Sequence, residues 1–176
     1  VQSPPRITVT TAYEVFALVA SQSKGNGWLD LRSGIEGDGD VLTTIPSGGL
    51  EVFPLLLNED KSFFLFTRGY YQETVAWDVS EGRIVSSWSS QPYKWIVSPN
   101  GKFLSMHFYI STDSSLIGYK LFVIDLAQKQ IIYQGAFDTN ITDAFAFHPD
   151  GIHLLYLKEE EPTYRQPDTT FSVWLM

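Results

Sequence analysis

Apolar residues come along this chain in short runs without helical spacing. Arg6 to Thr10 alternates, with Ile7 and Val9 set against Thr8 and Thr10. Val15 to Ala20 and Phe63 to Phe66 are unbroken apolar runs. Alternation marks a strand with one wet face, and a short unbroken run marks a strand covered on both faces. The same signals predict strands at Val41–Ile45, Val75–Val79, Ile84–Trp88, Lys94–Val97, Phe103–Ile110, Tyr119–Asp125, Gln130–Phe137, Ala144–Phe147, Ile152–Leu157 and Phe171–Met176. No segment has a capped amphipathic period, so almost no helix is expected.

The strands repeat as a unit. Phe147-His148-Pro149-Asp150-Gly151 separates two of them, and Val97-Ser98-Pro99-Asn100-Gly101 separates two others, 149 − 99 = 50 residues earlier. In such a turn proline pre-sets one φ, Asp or Asn suits the next position, and glycine accepts the left-handed conformation that closes the hairpin. Asn58-Glu59-Asp60-Lys61 replaces it once. Asp30, Asp78 and Asp125 recur 48 and 47 residues apart. Tyr13 to Gly34 aligns without a gap on Lys61 to Gly82. Four units follow, at about 6–46, 49–90, 92–137 and 140–176, within one domain spanning 1–176. Four strands per 40–50 residues is a β-propeller signature. The predicted fold is all-β: a propeller-like array of about four four-stranded antiparallel blades. Their inward first strands lie at Leu55–Leu57, Trp95–Val97 and Ala144–Phe147.

Trp77-Asp78 closing a third strand, with Ser-Pro-Asn-Gly and His-Pro-Asp-Gly between first and second strands, resembles the WD-repeat and WD-like propellers. The resemblance covers nearly the whole chain. It is a divergent one: the Trp-Asp pair occurs in one unit of four, and the Gly-His dipeptide of WD repeats is absent. Lactonase-type and other bacterial propellers share the Pro-Asp-Gly turn. The resemblance implies a non-catalytic protein-interaction scaffold or structural subunit. The alternative is a propeller enzyme, or a small-ligand or glycan-binding module, with an axial site.

Composition narrows the partners. The formal net charge is −8, which argues against the positive footprint that nucleic acid requires and against docking on anionic membranes. No run reaches the length of a membrane span. No basic-then-apolar leader opens the chain, which starts at Val1, and its compartment stays open. Cysteine is absent, so disulfides and thiolate chemistry are excluded. Asn140-Ile141-Thr142 is a glycosylation sequon.

Candidate chemistry is sparse. Glu36, Asp38 and Asp40 sit on a glycine-rich turn but lack the terminal bidentate Glu of a calcium loop, so a solvated hairpin is expected. His107 and His153 are read as homologous early positions of neighbouring second strands, where sheet packing is expected; His148 is read as a turn residue. Asp30, Asp78 and Asp125 are expected to cap turns through backbone N–H groups. No nucleophile elbow, phosphate loop or dinucleotide fingerprint is present. No catalytic residue, cofactor or metal is therefore predicted.

The longest connections, Ser21–Gly27, Arg68–Glu73, Ser111–Gly118 and Lys158–Thr170, join second to third strands and so gather at one end of the blades. Loop length collected on one side is what repeat proteins show on a binding face. Tyr70, Tyr71, Tyr93, Tyr164 and Arg165 are the partner-binding candidates, being residue types enriched at hot spots. The last unit ends after three strands, leaving Phe171–Met176 as an open edge. Two closures are conceivable: Arg6–Thr10 returning as the outer strand, or strands from a protein partner or further chain. The second is preferred, because the blade count is also small.

Overall fold

The computed structural model describes the backbone of residues 6–9, 15–34, 39–70, 72–111, 117–137, 141–160 and 170–175. Strands and turns account for it, with no helix among the described residues. Far-UV circular dichroism should accordingly give a β-spectrum; a helical fraction above about 15% would contradict the fold, since soluble domains average roughly a third.

Among the described residues, fifteen strands form four antiparallel meanders. The first sheet runs β1 (Arg6–Val9), β2 (Val15–Ala20), β3 (Trp28–Ser33), β4 (Val41–Pro46). The second runs β5 (Val52–Leu57), β6 (Phe63–Arg68), β7 (Glu73–Asp78), β8 (Arg83–Trp88). The third runs β9 (Lys94–Val97), β10 (Phe103–Ser111), β11 (Ile117–Asp125), β12 (Gln130–Phe137). The fourth holds β13 (Ile141–Phe147), β14 (Leu154–Glu160) and β15 (Thr170–Leu175). Every strand pairs with its neighbour in sequence. Repetition of this meander along the chain makes the fold a β-propeller-like array. The residues group into two compact units, Val1–Gln91 and Pro92–Met176, each with two sheets.

Burial explains why the middle strands lack alternation. β6 is buried at Phe63, Phe64, Leu65, Phe66 and Thr67, on both of its faces, while the edge strand β8 has no buried residue. Within the first unit, Phe16, Leu18, Leu31 and Ile45 of the first sheet pack with Val52, Leu57, Phe64, Phe66, Val75, Trp77 and Val79 of the second segment. The indole N–H of Trp77 donates to Thr43 Oγ1 at 3.1 Å, joining the two sheets by a buried bond. Within the second unit, Leu121, Val123, Phe145 and Leu154 form a smaller core. Pro54 sits on the edge strand β5, beside a register shift, where a missing ladder N–H is tolerated.

Four expectations need correction. Asp30 does not cap a turn. It lies inside β3, opposite Val19 and Thr44, and its carboxylate accepts from Thr44 Oγ1 at 2.9 Å and from Arg32 Nη2 at 3.5 Å. The gapless alignment holds for β2 on β6 and then fails, because the β2–β3 loop is longer than the β6–β7 loop. Asp78 and Asp125 do close their strands and accept the N–H of Glu81 and Gln128 respectively. β14 starts at Leu154 instead of Ile152, because Asp150 Oδ1 takes the N–H groups of Ile152 and His153 into the turn. Finally, β1 is the first strand of its own sheet, paired with β2 from Arg6↔Leu18 to Val9↔Val15.

Candidate functional site

One end of the second sheet carries a groove. It is about 560 Å³ and open to solvent, lined by Leu50, Arg68, Gln72, Glu73, Trp88 and the serines beside Trp88. The sheet topology dictates this grouping. β6 ends at Arg68 and β7 begins at Glu73, β8 ends at Trp88, and Leu50 precedes β5, so all four meet at the same strand ends. Arg68 Nε donates to Glu73 Oε2 at 2.7 Å, and its Nη1 donates to the Pro46 carbonyl at 2.9 Å. These two bonds fix the guanidinium, and the charge pair lines the groove together with Gln72, Ser87 and Ser89 and with apolar Leu50 and Trp88.

The tight β6–β7 loop sets the rim. Gly69 and Tyr70 both take positive φ, 68° and 56°. A non-glycine residue in that region is strained. The conformation turns the Tyr70 ring outward, 77% exposed, with its edge against Phe53 at 6.5 Å between centroids. Leu50 is also half exposed. A Cβ on Gly69 would come within 3.1 Å of the Leu50 side chain, so this backbone passes close under the rim.

The second unit shows tyrosines at the corresponding strand ends. Tyr93 precedes β9 and meets Tyr109 edge-on at 4.4 Å; Tyr109 in turn meets its cross-strand partner Tyr119 at 5.0 Å. Tyr93 and Tyr109 are both exposed. His107 lies behind them, buried, stacked on Tyr119 at 4.9 Å and edge-on to Phe145 at 5.2 Å. Its ring belongs to this aromatic packing.

Of the sequence-predicted contact residues, Tyr70 and Tyr93 are exposed at strand ends that carry second-to-third loops. Tyr71, Tyr164 and Arg165 lie outside the described residues, as do Glu36, Asp38 and the sequon's Asn140. The loop reasoning also needs adjustment. Arg68 and Glu73 are strand residues, and the four residues between them form a shorter connection than the five of the 58–62 turn. Length does not mark this face in the second sheet; exposed apolar side chains do. Leu50, Trp88 and Tyr109 were missed. Tyr109 was accessible from hairpin pairing, which places it opposite Tyr119, whereas Leu50 and Trp88 meet only through the fold.

A second cluster was also missed. His107 and His153 are not at homologous positions: His107 is the fifth residue of β10, and His153 precedes β14. His153 instead joins His148 and Asp150 in the β13–β14 turn, with one ligand atom from each within 4.8 Å of the others. Hydrogen bonds hold the Asp150 carboxyl well below the usual carboxylate range, the Ile152 N–H most strongly, followed by the His153 ring. A turn-by-turn alignment would have shown two imidazoles where the other units have none.

No protein-family model matches the chain, and no curated protein matches it in sequence. Solved structures do resemble it in fold. The Pyrococcus horikoshii acylaminoacyl peptidase is similar at TM-score 0.51 and 13% identity, over 99% of this chain and 30% of that one. The Dos1 propeller is similar at TM-score 0.48 and 9% identity, over 86% and 41%. The Kuenenia stuttgartiensis hydrazine synthase is similar at TM-score 0.43 and 17% identity, over 97% and 50%. The chain thus spans half or less of the length of these three structures. At such identities the likeness is one of fold alone.

Proposed function

We propose that this chain is a WD-like propeller module that binds a protein partner and does not itself catalyse a reaction. The observation that carries this is the groove at the end of the second sheet, where Leu50 and Trp88 line the Arg68–Glu73 pair and the exposed Tyr70 stands on the adjoining β6–β7 loop. An exposed tyrosine and a partly buried tryptophan beside a fixed guanidinium are the residue types that dominate protein interfaces. A shallow, solvent-open groove with Leu50 and Trp88 beside polar side chains fits a peptide segment or loop better than a small metabolite, which is normally enclosed over most of its surface. Negative net charge favours a partner surface with basic character. The partner would flank the array or complete it with further strands.

The test is quantitative binding with variants. Leu50→Asp combined with Tyr70→Ala should weaken association by about 30-fold or more, the effect of a hot spot worth about 2 kcal/mol. The melting temperature should stay near that of the parent, because both side chains are solvent-facing. Glu59→Ala, at the opposite end of the same sheet, should leave affinity unchanged. Loss of binding on Glu59→Ala alone would place the partner on the wrong end for this proposal.

A further inference from the structure

The turn between β13 and β14 holds more chemistry than a turn requires. Three first-to-second-strand turns have the same backbone frame. In each, a backbone N–H donates to a carbonyl five residues ahead: Asn58 to Phe63, Ser98 to Phe103, and His148 to His153. In each, the residue three positions on returns its N–H to the first carbonyl, namely Lys61, Gly101 and Gly151, all with positive φ. The first two turns finish the frame with a small side-chain acceptor, Asn58 Oδ1 for the Phe63 N–H and Ser98 Oγ for the Phe103 N–H. The third gives that duty to Asp150 Oδ1, which takes the N–H groups of Ile152 and His153 at 2.8 and 3.1 Å. His148 and His153 stand where the others carry Asn or Ser and Phe. Neither imidazole is needed to make the turn.

What the imidazoles do is converge on the other carboxylate oxygen. Asp150 Oδ2 lies 3.0 Å from His148 Nδ1 and 2.6 Å from His153 Nδ1. The His148 nitrogen also lies 3.3 Å from the Asp150 backbone N–H, so it stands between that donor and the carboxylate oxygen. A carboxylate oxygen and imidazole nitrogens at such distances share a positive centre, which a proton or a metal ion supplies. The side chains are about half exposed, which leaves an ion free access.

We infer that His148, Asp150 and His153 form a binding site for a divalent transition-metal ion of the zinc type. Two imidazole nitrogens and one carboxylate oxygen are a borderline donor set that such ions favour, whereas calcium and magnesium take oxygen donors. Ligand atoms around tetrahedral zinc stand about 3.3 Å apart, given metal–ligand distances of about 2.0–2.1 Å. The two spacings to Asp150 Oδ2, 3.0 and 2.6 Å, lie near that value, and all three ligand atoms lie within 4.8 Å of one another. Three protein ligands leave the remaining position to water or to a donor from a partner. The site is separate from the groove of the second sheet, and does not rest on the proposed function.

The sequence supplies a clean test. It contains three histidines and no cysteine, and the third histidine, His107, is 2% exposed. Tag-free protein is titrated with zinc chloride by calorimetry, with calcium chloride as comparison. One zinc per chain is expected, together with a melting temperature that rises with zinc and falls back with EDTA; calcium should do neither. The variant His148→Ser/His153→Phe restores the side chains of the Ser98–Phe103 turn, so it should fold as the parent does and lose at least tenfold in zinc affinity. Asp150→Asn keeps the turn acceptor, as Asn100 does, and should also weaken zinc. Parent protein that takes up no zinc, or equal uptake by parent and double variant, would overturn the site and leave a proton-bridged carboxylate in its place. Binding of calcium in preference to zinc would overturn the assigned metal class.

Discussion

Replacing Trp77 with alanine is expected to destabilise the first unit by about 3–5 kcal/mol, the range for deleting a buried aromatic from a core. Trp77 is 4% exposed and packs with Phe64, Phe66 and Val75 of its own sheet and with the first-sheet members of the same cluster. Its truncation removes that packing and leaves a cavity that the surrounding hydrogen-bonded strands relax into only partly. It also orphans Thr43 Oγ1, a buried hydroxyl that accepts the indole N–H. Trp77→Phe separates the two effects. It retains most of the ring volume and loses the hydrogen bond, so about 1–3 kcal/mol is expected. Urea unfolding followed by fluorescence of the remaining tryptophans measures both. A Trp77→Ala cost below about 1 kcal/mol would mean the two sheets of this unit do not share a core.

The second large effect concerns the recurring aspartates, whose roles separate by burial. Asp78 is 1% exposed, and its Oδ1 accepts from Ser80 Oγ at 2.7 Å and from the Glu81 N–H at 3.0 Å. Asp78→Ala removes a charged acceptor and leaves those donors to a site that water reaches poorly. About 2–3 kcal/mol is expected, at the upper range for hydrogen bonds to charged groups. Asp125 is only partly buried, and its bond to the Gln128 N–H is that of an exposed cap. Asp125→Ala should cost about 1 kcal/mol, as loss of a capping side chain does. Equal losses at the two positions, measured by chemical denaturation, would show that burial does not set the difference.

Gly151 gives a smaller effect with a local cause. Its φ is 71°, and a Cβ there would lie 2.4 Å from Asn100 Nδ2. Gly151→Ala should cost about 1–2 kcal/mol from the left-handed backbone. Asn100→Ala in the same chain should recover only the part due to the clash.

The meander was legible because it rests on local chemistry. Pro-Asn-Gly and Pro-Asp-Gly turns, and runs such as Phe63–Phe66, report strand boundaries without knowledge of partners. The strand edges that moved are those where a side chain overrides the pattern: Ile152 reads as strand by hydropathy, but Asp150 holds its N–H in the turn. The Asp30 error had another origin. A loop of different length between β2 and β3 shifts register, and hydropathy alone carries no record of it. The groove was half legible. Tyr70 was identified as an exposed loop tyrosine, whereas Leu50, Arg68 and Trp88 are brought together from three separate chain segments. The His148–Asp150–His153 cluster was present in six consecutive residues, hidden by treating His153 as a strand residue.

The claim that matters most is that the groove end of the second sheet is the face that meets a protein partner. It is tested directly by site-specific photo-crosslinking in the native cellular setting. A photoreactive amino acid replaces Tyr70 in one protein and Glu59, at the opposite end of the same sheet, in another. A discrete protein adduct from position 70, lost on Leu50→Asp and absent from position 59, is the result expected. Adducts from position 59 alone, or identical adducts from both, would contradict the assignment of the face.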